Sequence, residues 1–180
     1  MVFGGLGKLL LNKLTGVTNV TARRLPKGHD VEVVGESFRQ GALEKAAQDD
    51  TGTLNAIIFR EPDNEFDRNA VKVGVVVGGA FEHAGYLPRD TAKVFNPVMR
   101  EFEAAGFRML ACEARLVGGG KGKSFGVWLN IASKRQVKAY LAAAIKDAET
   151  DPDKFDDDES STRYQAESDW DIPGWKKSLY

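Results

Sequence analysis

Hydrophobic and polar positions change their period several times along this chain of 180 residues. Residues 3–14 place Phe3, Leu6, Leu10 and Leu14 at three- and four-residue steps, which predicts a short helix with one apolar face, docked on the body or at a dimer contact. "TGVTNVTARRLPKGHD" follows as a connector punctuated by Pro26 and Gly28. "VEVVG" at 31–35 predicts a short strand. "ESFRQGALEKAAQDDTG" predicts a helix with Phe38, Ala42 and Ala46 on one side and a stop at Gly52. "LNAIIFRE" at 54–61, "NAVKVGVVV" at 69–77 and "AFEHAGYL" read as three strands, the last two joined by Gly78 and Gly79. Asp90 is placed to cap a helix running to about Ala105, with Ala92, Phe95, Val98, Met99 and Phe102 inward and Gly106 as its stop. "FRMLACEARLV" and "SFGVWLNIA" alternate and form a hairpin across "GGGKGK". A last helix, "SKRQVKAYLAAAIKDA", starts at Ser133 with Val137, Leu141 and Ile145 on one face.

Short strands, frequent turns and few helices predict a mainly β protein with peripheral helices, built on a small closed or partly closed barrel. The organisation expected is an N-terminal helix and connector over 1–30, a barrel domain over 31–132, a helix over 133–148, and an acidic, mostly disordered tail over 149–180.

Charge sharpens this division. Residues 147–180 hold 11 of the 26 acidic residues and four of the 25 basic ones, leaving 15 acidic and 21 basic in 1–146. A basic body with an acidic tail points towards polyanions. The one cysteine, Cys112, excludes an intramolecular disulfide framework and a cysteine-based zinc site, and His29 and His83 lie far apart, so no metal centre and no cofactor is expected. No apolar run approaches membrane-spanning length, so a cytoplasmic location without a membrane partner is the expectation.

Two glycine clusters fail as phosphate loops. "VGGGKGKS" at 117–124 has Val117 where the first glycine belongs and leads into a strand. "GGLGK" at 4–8 has no strand before it. "GGGKGK" stays open between a basic hairpin tip that approaches a phosphate backbone and a plain mobile turn. No Ser/His/Asp or Cys/His grouping appears at a known spacing. Glu61, Asp63, Glu65 and Asp67 lack the spacing of a calcium loop. The expectation is a protein that is not an enzyme.

The densest stretch is "REPDNEFDRNAVKV" at 60–73, far richer in charge than a strand connection needs. Together with "VVGESFRQGAL" at 33–43 and "GYLPRDTA" at 85–92 it resembles the HIRAN family, in matching order and over roughly residues 31–132. The resemblance implies an OB- or SH3-like barrel. In eukaryotes the domain sits on SWI/SNF-type translocases that remodel stalled replication forks, where it holds the 3′ end of single-stranded DNA by base stacking and an aspartate contact to the terminal hydroxyl. Carried onto this chain, Phe38 takes a stacking position. Asn64, Phe66 and Asp67 grip the terminal nucleotide, with Asp67 accepting from the 3′-hydroxyl. Tyr86 and Arg89 lie beside the phosphates, and Phe125 matches an aromatic of the late hairpin. Arg39, Arg60, Arg68, Arg89, Lys121 and Lys123 supply a basic track. Ser37 stands where the eukaryotic domain has an arginine, and Phe38 and Phe66 replace tyrosines.

The partners implied are single-stranded DNA and a helicase, translocase or nuclease, in repair or fork processing. A protein-interaction adaptor using the barrel and the aromatic tail, with Trp170 and Trp175, is the alternative. Each residue also has a structural reading: Asn64, Asp67 and Asn69 as an Asx-type turn, Phe38 and Phe66 as core, Arg68 as an ion-pair partner.

Overall fold

The computed structural model describes residues 17–48, 54–150 and 161–167. The helix expected at 3–14, the stop at Gly52, and Trp170 and Trp175 lie outside the described residues. The elements run β1 (Val17–Arg24), β2 (His29–Glu32), a 3-10 turn (Glu36–Phe38), α1 (Gln40–Gln48), β3 (Leu54–Arg60), β4 (Val71–Val77), β5 (Ala80–Tyr86), α2 (Arg89–Ala104), β6 (Leu110–Gly118), β7 (Phe125–Ile131), α3 (Lys134–Thr150) and β8 (Ser161–Glu167).

One mainly antiparallel sheet carries these strands in the order β2-β7-β6-β3-β4-β5. β1 joins it in parallel at the start of β6, Arg23 opposite Leu110, and β8 runs antiparallel to β1. β3 explains why an unbroken apolar run sits at the centre. Ala56, Ile57, Ile58 and Phe59 are all buried, because successive side chains go to opposite faces and both faces are covered. Ala56 and Ile58 enter the main core with Val71, Val73, Val75, Leu110 and Cys112. Ile57 and Phe59 enter a smaller cluster with Ala22, Met109 and Ala111. The helices roof the main core through Leu43 and Ala46 of α1, Phe95, Val98, Met99 and Phe102 of α2, and Val137 and Leu141 of α3. Among the described residues no helix is long and apolar enough to cross a membrane.

Several expectations need correcting. The sheet is not closed into a barrel. β2 ends at Glu32, and among the described residues the two ends of the sheet pair only at the isolated bridge Val34 and Tyr86. The chain then turns away at Gly35, whose φ of 83° leads into the 3-10 turn. Even this pair needs Gly85, because a Cβ there would strike the Val34 carbonyl and the Val33 side chain. Residues 17–24, read as connector, form β1, and residues 161–167, read as part of a disordered tail, form β8. Average acidity hid a short stretch with Thr162 and Tyr164, and its partner strand lies about 140 residues earlier, beyond any local pattern. Phe38 belongs to the 3-10 turn and is exposed, so Leu43 and Ala46 make the inner face of α1. Asp90 is not a cap. Pro88 precedes the first turn of α2 with no side-chain cap bond, and Asp90 lies within that turn. Ser133 does open α3, where its backbone N–H and hydroxyl both donate to Gln136 Oε1, at 3.1 and 2.6 Å.

Candidate functional site

The connection between β3 and β4, residues 61–70, is a built loop. At its base Glu61 N–H donates to the Ala70 carbonyl at 3.0 Å. Inside it Asn64 Oδ1 accepts from the N–H groups of both Phe66 and Asp67, each at 3.0 Å. Asp67 Oδ1 accepts from Asn69 N–H at 2.8 Å. These are Asx-type bonds, so the structural reading of Asn64 and Asp67 holds. It leaves Asp67 Oδ2 free of the turn, 3.5 Å from Arg89 Nε.

Glu61 anchors the whole arrangement. Its carboxylate pairs with Lys72 and accepts from Asn64 Nδ2 at 2.6 Å and from the Tyr86 hydroxyl at 3.0 Å. Burial would raise its pKa, but the hydrogen bonds from Lys72, Asn64 and Tyr86 outweigh that and hold the carboxyl below its usual range. Tyr86 responds in the opposite sense. Burial and the bond to Glu61 push its phenol up to about 12, so it stays a donor. Sequence reasoning counted Glu61 only as one of four loop acids. The signal that could have separated it is position: it follows the last residue of β3, two residues after Phe59, whose register partner is Lys72, so Lys72 is its diagonal neighbour on the same face.

A β-bulge shapes the opposite wall. The register of β5 on β4 shifts between Val73 and Gly74, which inserts one extra residue between His83 and Tyr86. Three residues apart, these two would otherwise point to opposite faces. Instead their rings meet edge-on at 5.2 Å. Burial first, and then the charges of Arg39 and Lys72, push the His83 pKa down to about 4. The neutral ring donates from Nε2 to the Gly85 carbonyl at 3.1 Å.

Between these walls lies a groove of about 420 Å³, lined by Val34, Arg39, Asn64, Phe66, Asp67, Ala70, Tyr86, Leu87 and Arg89. Six of the sequence-expected site residues (Arg39, Asn64, Phe66, Asp67, Tyr86 and Arg89) thus come together from three separate stretches. Phe66 is 88% exposed and Phe38, beside Arg39, is 85% exposed, and neither ring contributes to the core.

The remaining candidates fall elsewhere. Arg60 is turned away from the groove: it pairs with Glu103 and donates from Nε to Asn96 Oδ1 at 3.2 Å, both on α2. As the last residue of β3 it faces α2, while the loop begins one residue later and faces the other way. Phe125 is half-buried against the main core rather than presented as a platform. Its backbone is clamped by Gln40, which accepts from its N–H at 2.8 Å and donates to its carbonyl at 3.0 Å. Lys121 and Lys123 are exposed on the tip of the β6–β7 hairpin and do not line the groove. Arg68 is exposed on the loop. Cys112 is buried, and burial pushes its thiol up to about 12, which leaves it inert.

The arrangement offers one exposed ring, Phe66, two exposed guanidinium groups and a carboxylate oxygen, Asp67 Oδ2, held by the exposed Arg89, around an open groove, with the exposed Phe38 ring next in sequence to Arg39. That set suits an extended anionic ligand with flat groups and a hydroxyl. A family model for the HIRAN domain matches residues 19–132, a span that begins within β1. Among solved structures, the crystal structure of the HIRAN domain of human HLTF aligns at 15% sequence identity and a TM-score of 0.33, covering 65% of this chain and 87% of that chain. No curated protein matches the chain.

Proposed function

This chain belongs to the HIRAN domain family, whose domains are generally known as DNA-binding modules, and from that premise we propose that it is a non-catalytic module that holds the 3′ end of single-stranded DNA. The observation that carries the finer reading is the exposed ring of Phe66 on the wall of a groove that also contains Arg39, Arg89 and Asp67, whose Oδ2 lies 3.5 Å from Arg89 Nε, with the exposed ring of Phe38 next in sequence to Arg39. Bases stack on Phe38 and Phe66, at about 1–3 kcal/mol per ring by truncation. Arg39 and Arg89 meet phosphates. Asp67 Oδ2 accepts from the terminal hydroxyl. A carboxylate repels a phosphate but accepts from a hydroxyl, so its place in a polyanion site favours a chain end over a chain interior. Tyr86 and Asn64, tied to Glu61, fix where these groups stand. Such a module would serve repair or fork processing beside a partner that supplies the catalysis.

The test is fluorescence anisotropy with a labelled single strand carrying either a free or a phosphorylated 3′ end. Loss of a charge-assisted hydrogen bond of about 1.5–3 kcal/mol predicts about 10- to 150-fold weaker binding of the phosphorylated strand. Asp67→Asn is expected to narrow that difference. Equal affinity of the intact protein for both strands overturns the end-reading role. No binding at low salt overturns the DNA reading and favours a protein-interaction adaptor.

A further inference from the structure

α2 has a second outward feature that the groove does not use. Its buried face holds Ala92, Phe95, Asn96, Val98, Met99 and Phe102. Its exposed positions include Arg89, Lys93, Pro97 and Arg100. Steps of four, four and three residues place these four on one stripe along the axis. At 1.5 Å per residue the three cations span about 16 Å.

The stripe starts at the groove, because Arg89 is one of its lining residues. Arg89 shares its charge with Asp67 Oδ2 at 3.5 Å, and the stripe beyond it stays positively charged. Glu101 is occupied by Lys138 at 2.9 Å and Glu103 by Arg60, so the acids of the last turns are neutralised by other partners. Asp90 is the acid left exposed near the start, a quarter turn from Arg89 and one i,i+3 step before Lys93, so it borders the stripe without being balanced by another partner among the described residues. Among the described residues, Lys93 and Arg100 make no hydrogen bond or ion pair. Three cations spaced along a helix and continuous with an anion-binding groove match a polyanion backbone, whose contacts are electrostatic and independent of sequence.

We propose that this stripe is a phosphate track: the strand whose end lies in the groove leaves along α2, with its backbone passing Lys93 and then Arg100. The inference rests on the reading of the groove as a DNA site and extends it. The groove selects the terminus, and the track supplies length-dependent affinity without base preference.

The test compares the full chain with its Lys93→Ala/Arg100→Ala variant on two single strands, a tetranucleotide and a dodecanucleotide, over a salt series. Both positions are exposed, so thermal unfolding of the variant is expected to match the parent. For the dodecanucleotide, losing two phosphate contacts is expected to flatten the slope of log K against log salt by about 1.4, at about 0.7 per contact on a single strand. The tetranucleotide is expected to keep its slope. A Lys93→Glu/Arg100→Glu variant is expected to weaken the longer strand further. An unchanged slope on the dodecanucleotide, or an equal loss on both lengths, overturns the track while the groove reading stands. Failure of the intact chain to bind either strand overturns the groove reading itself.

Discussion

Two loops in this molecule join neighbouring antiparallel strands, and they are built on opposite plans. Residues 61–70 contain no glycine and no positive φ; their shape comes from side chains, with Asn64 and Asp67 binding backbone N–H groups and Glu61 gathering Lys72, Asn64 and Tyr86. Residues 119–124 are shaped by the backbone. Gly119, Lys121 and Gly122 all take positive φ, and the turn closes through Gly119 N–H to Ser124 O at 3.3 Å and Lys123 N–H to Gly120 O at 3.1 Å. The first plan sets the direction of each side chain, which a binding site needs. The second only presents charge, which needs no direction.

The largest test of that contrast is Glu61→Ala. It leaves Lys72, with a side chain 14% exposed, without its counter-charge. About 3 kcal/mol of stability is expected to be lost, the lower end of the range for breaking a buried ion pair. Urea denaturation checks it, and a loss below about 1 kcal/mol would show that the backbone alone holds the loop.

Phe66→Ala asks the converse. With the ring almost fully exposed, stability should move by no more than about 0.5 kcal/mol, yet binding of single-stranded DNA is expected to fall by about 1–3 kcal/mol. A variant that loses stability instead would return the ring to a packing role.

His83 gives a pH signature to the side-chain-built site. Its folded pKa of about 4 lies below the ordinary 6.5, so between those values the unfolded chain binds the extra proton. Stability from this group is complete above pH 6.5 and is lost as the pH falls towards 4. One full proton would give about 1.4 kcal/mol per pH unit; because the ring is only half-buried, about 0.7 is expected. His83→Gln should flatten denaturation midpoints across that window. Glu61, held low, extends the same trend below its ordinary value of 4.5, where protonation of the folded carboxylate removes its contribution.

The smallest effect belongs to the hairpin tip. Lys121→Ala with Lys123→Ala should leave stability within about 0.5 kcal/mol. If the tip stands apart from the bound strand, the preference for a free 3′ end should not change. A loss of that preference would bring the tip into the end-reading site.

Much of this was legible in the order of residues because the signals are short-range. Five of the central strands, β3 to β7, the helix behind "PRDTA" with its inward Phe95, Val98, Met99 and Phe102, and the helix opened by Ser133 follow from periods of two or 3.6 and from local punctuation, whereas the strand expected at 31–35 runs instead over His29–Glu32. The motif around Asn64, Phe66 and Asp67 was equally plain, since an Asx-built loop is encoded within ten residues. Tertiary structure alone decided the rest. Arg60 and Arg89 look alike in the chain, yet one ends β3 facing Glu103 and the other opens α2 at the groove. Glu61 looks like Asp63 and Glu65 until the strand register brings Lys72 and Tyr86 to it. β8 finds its partner only across about 140 residues. Local order sets period and turn; which charge is neutralised and which stays free depends on distances between segments that no local pattern encodes.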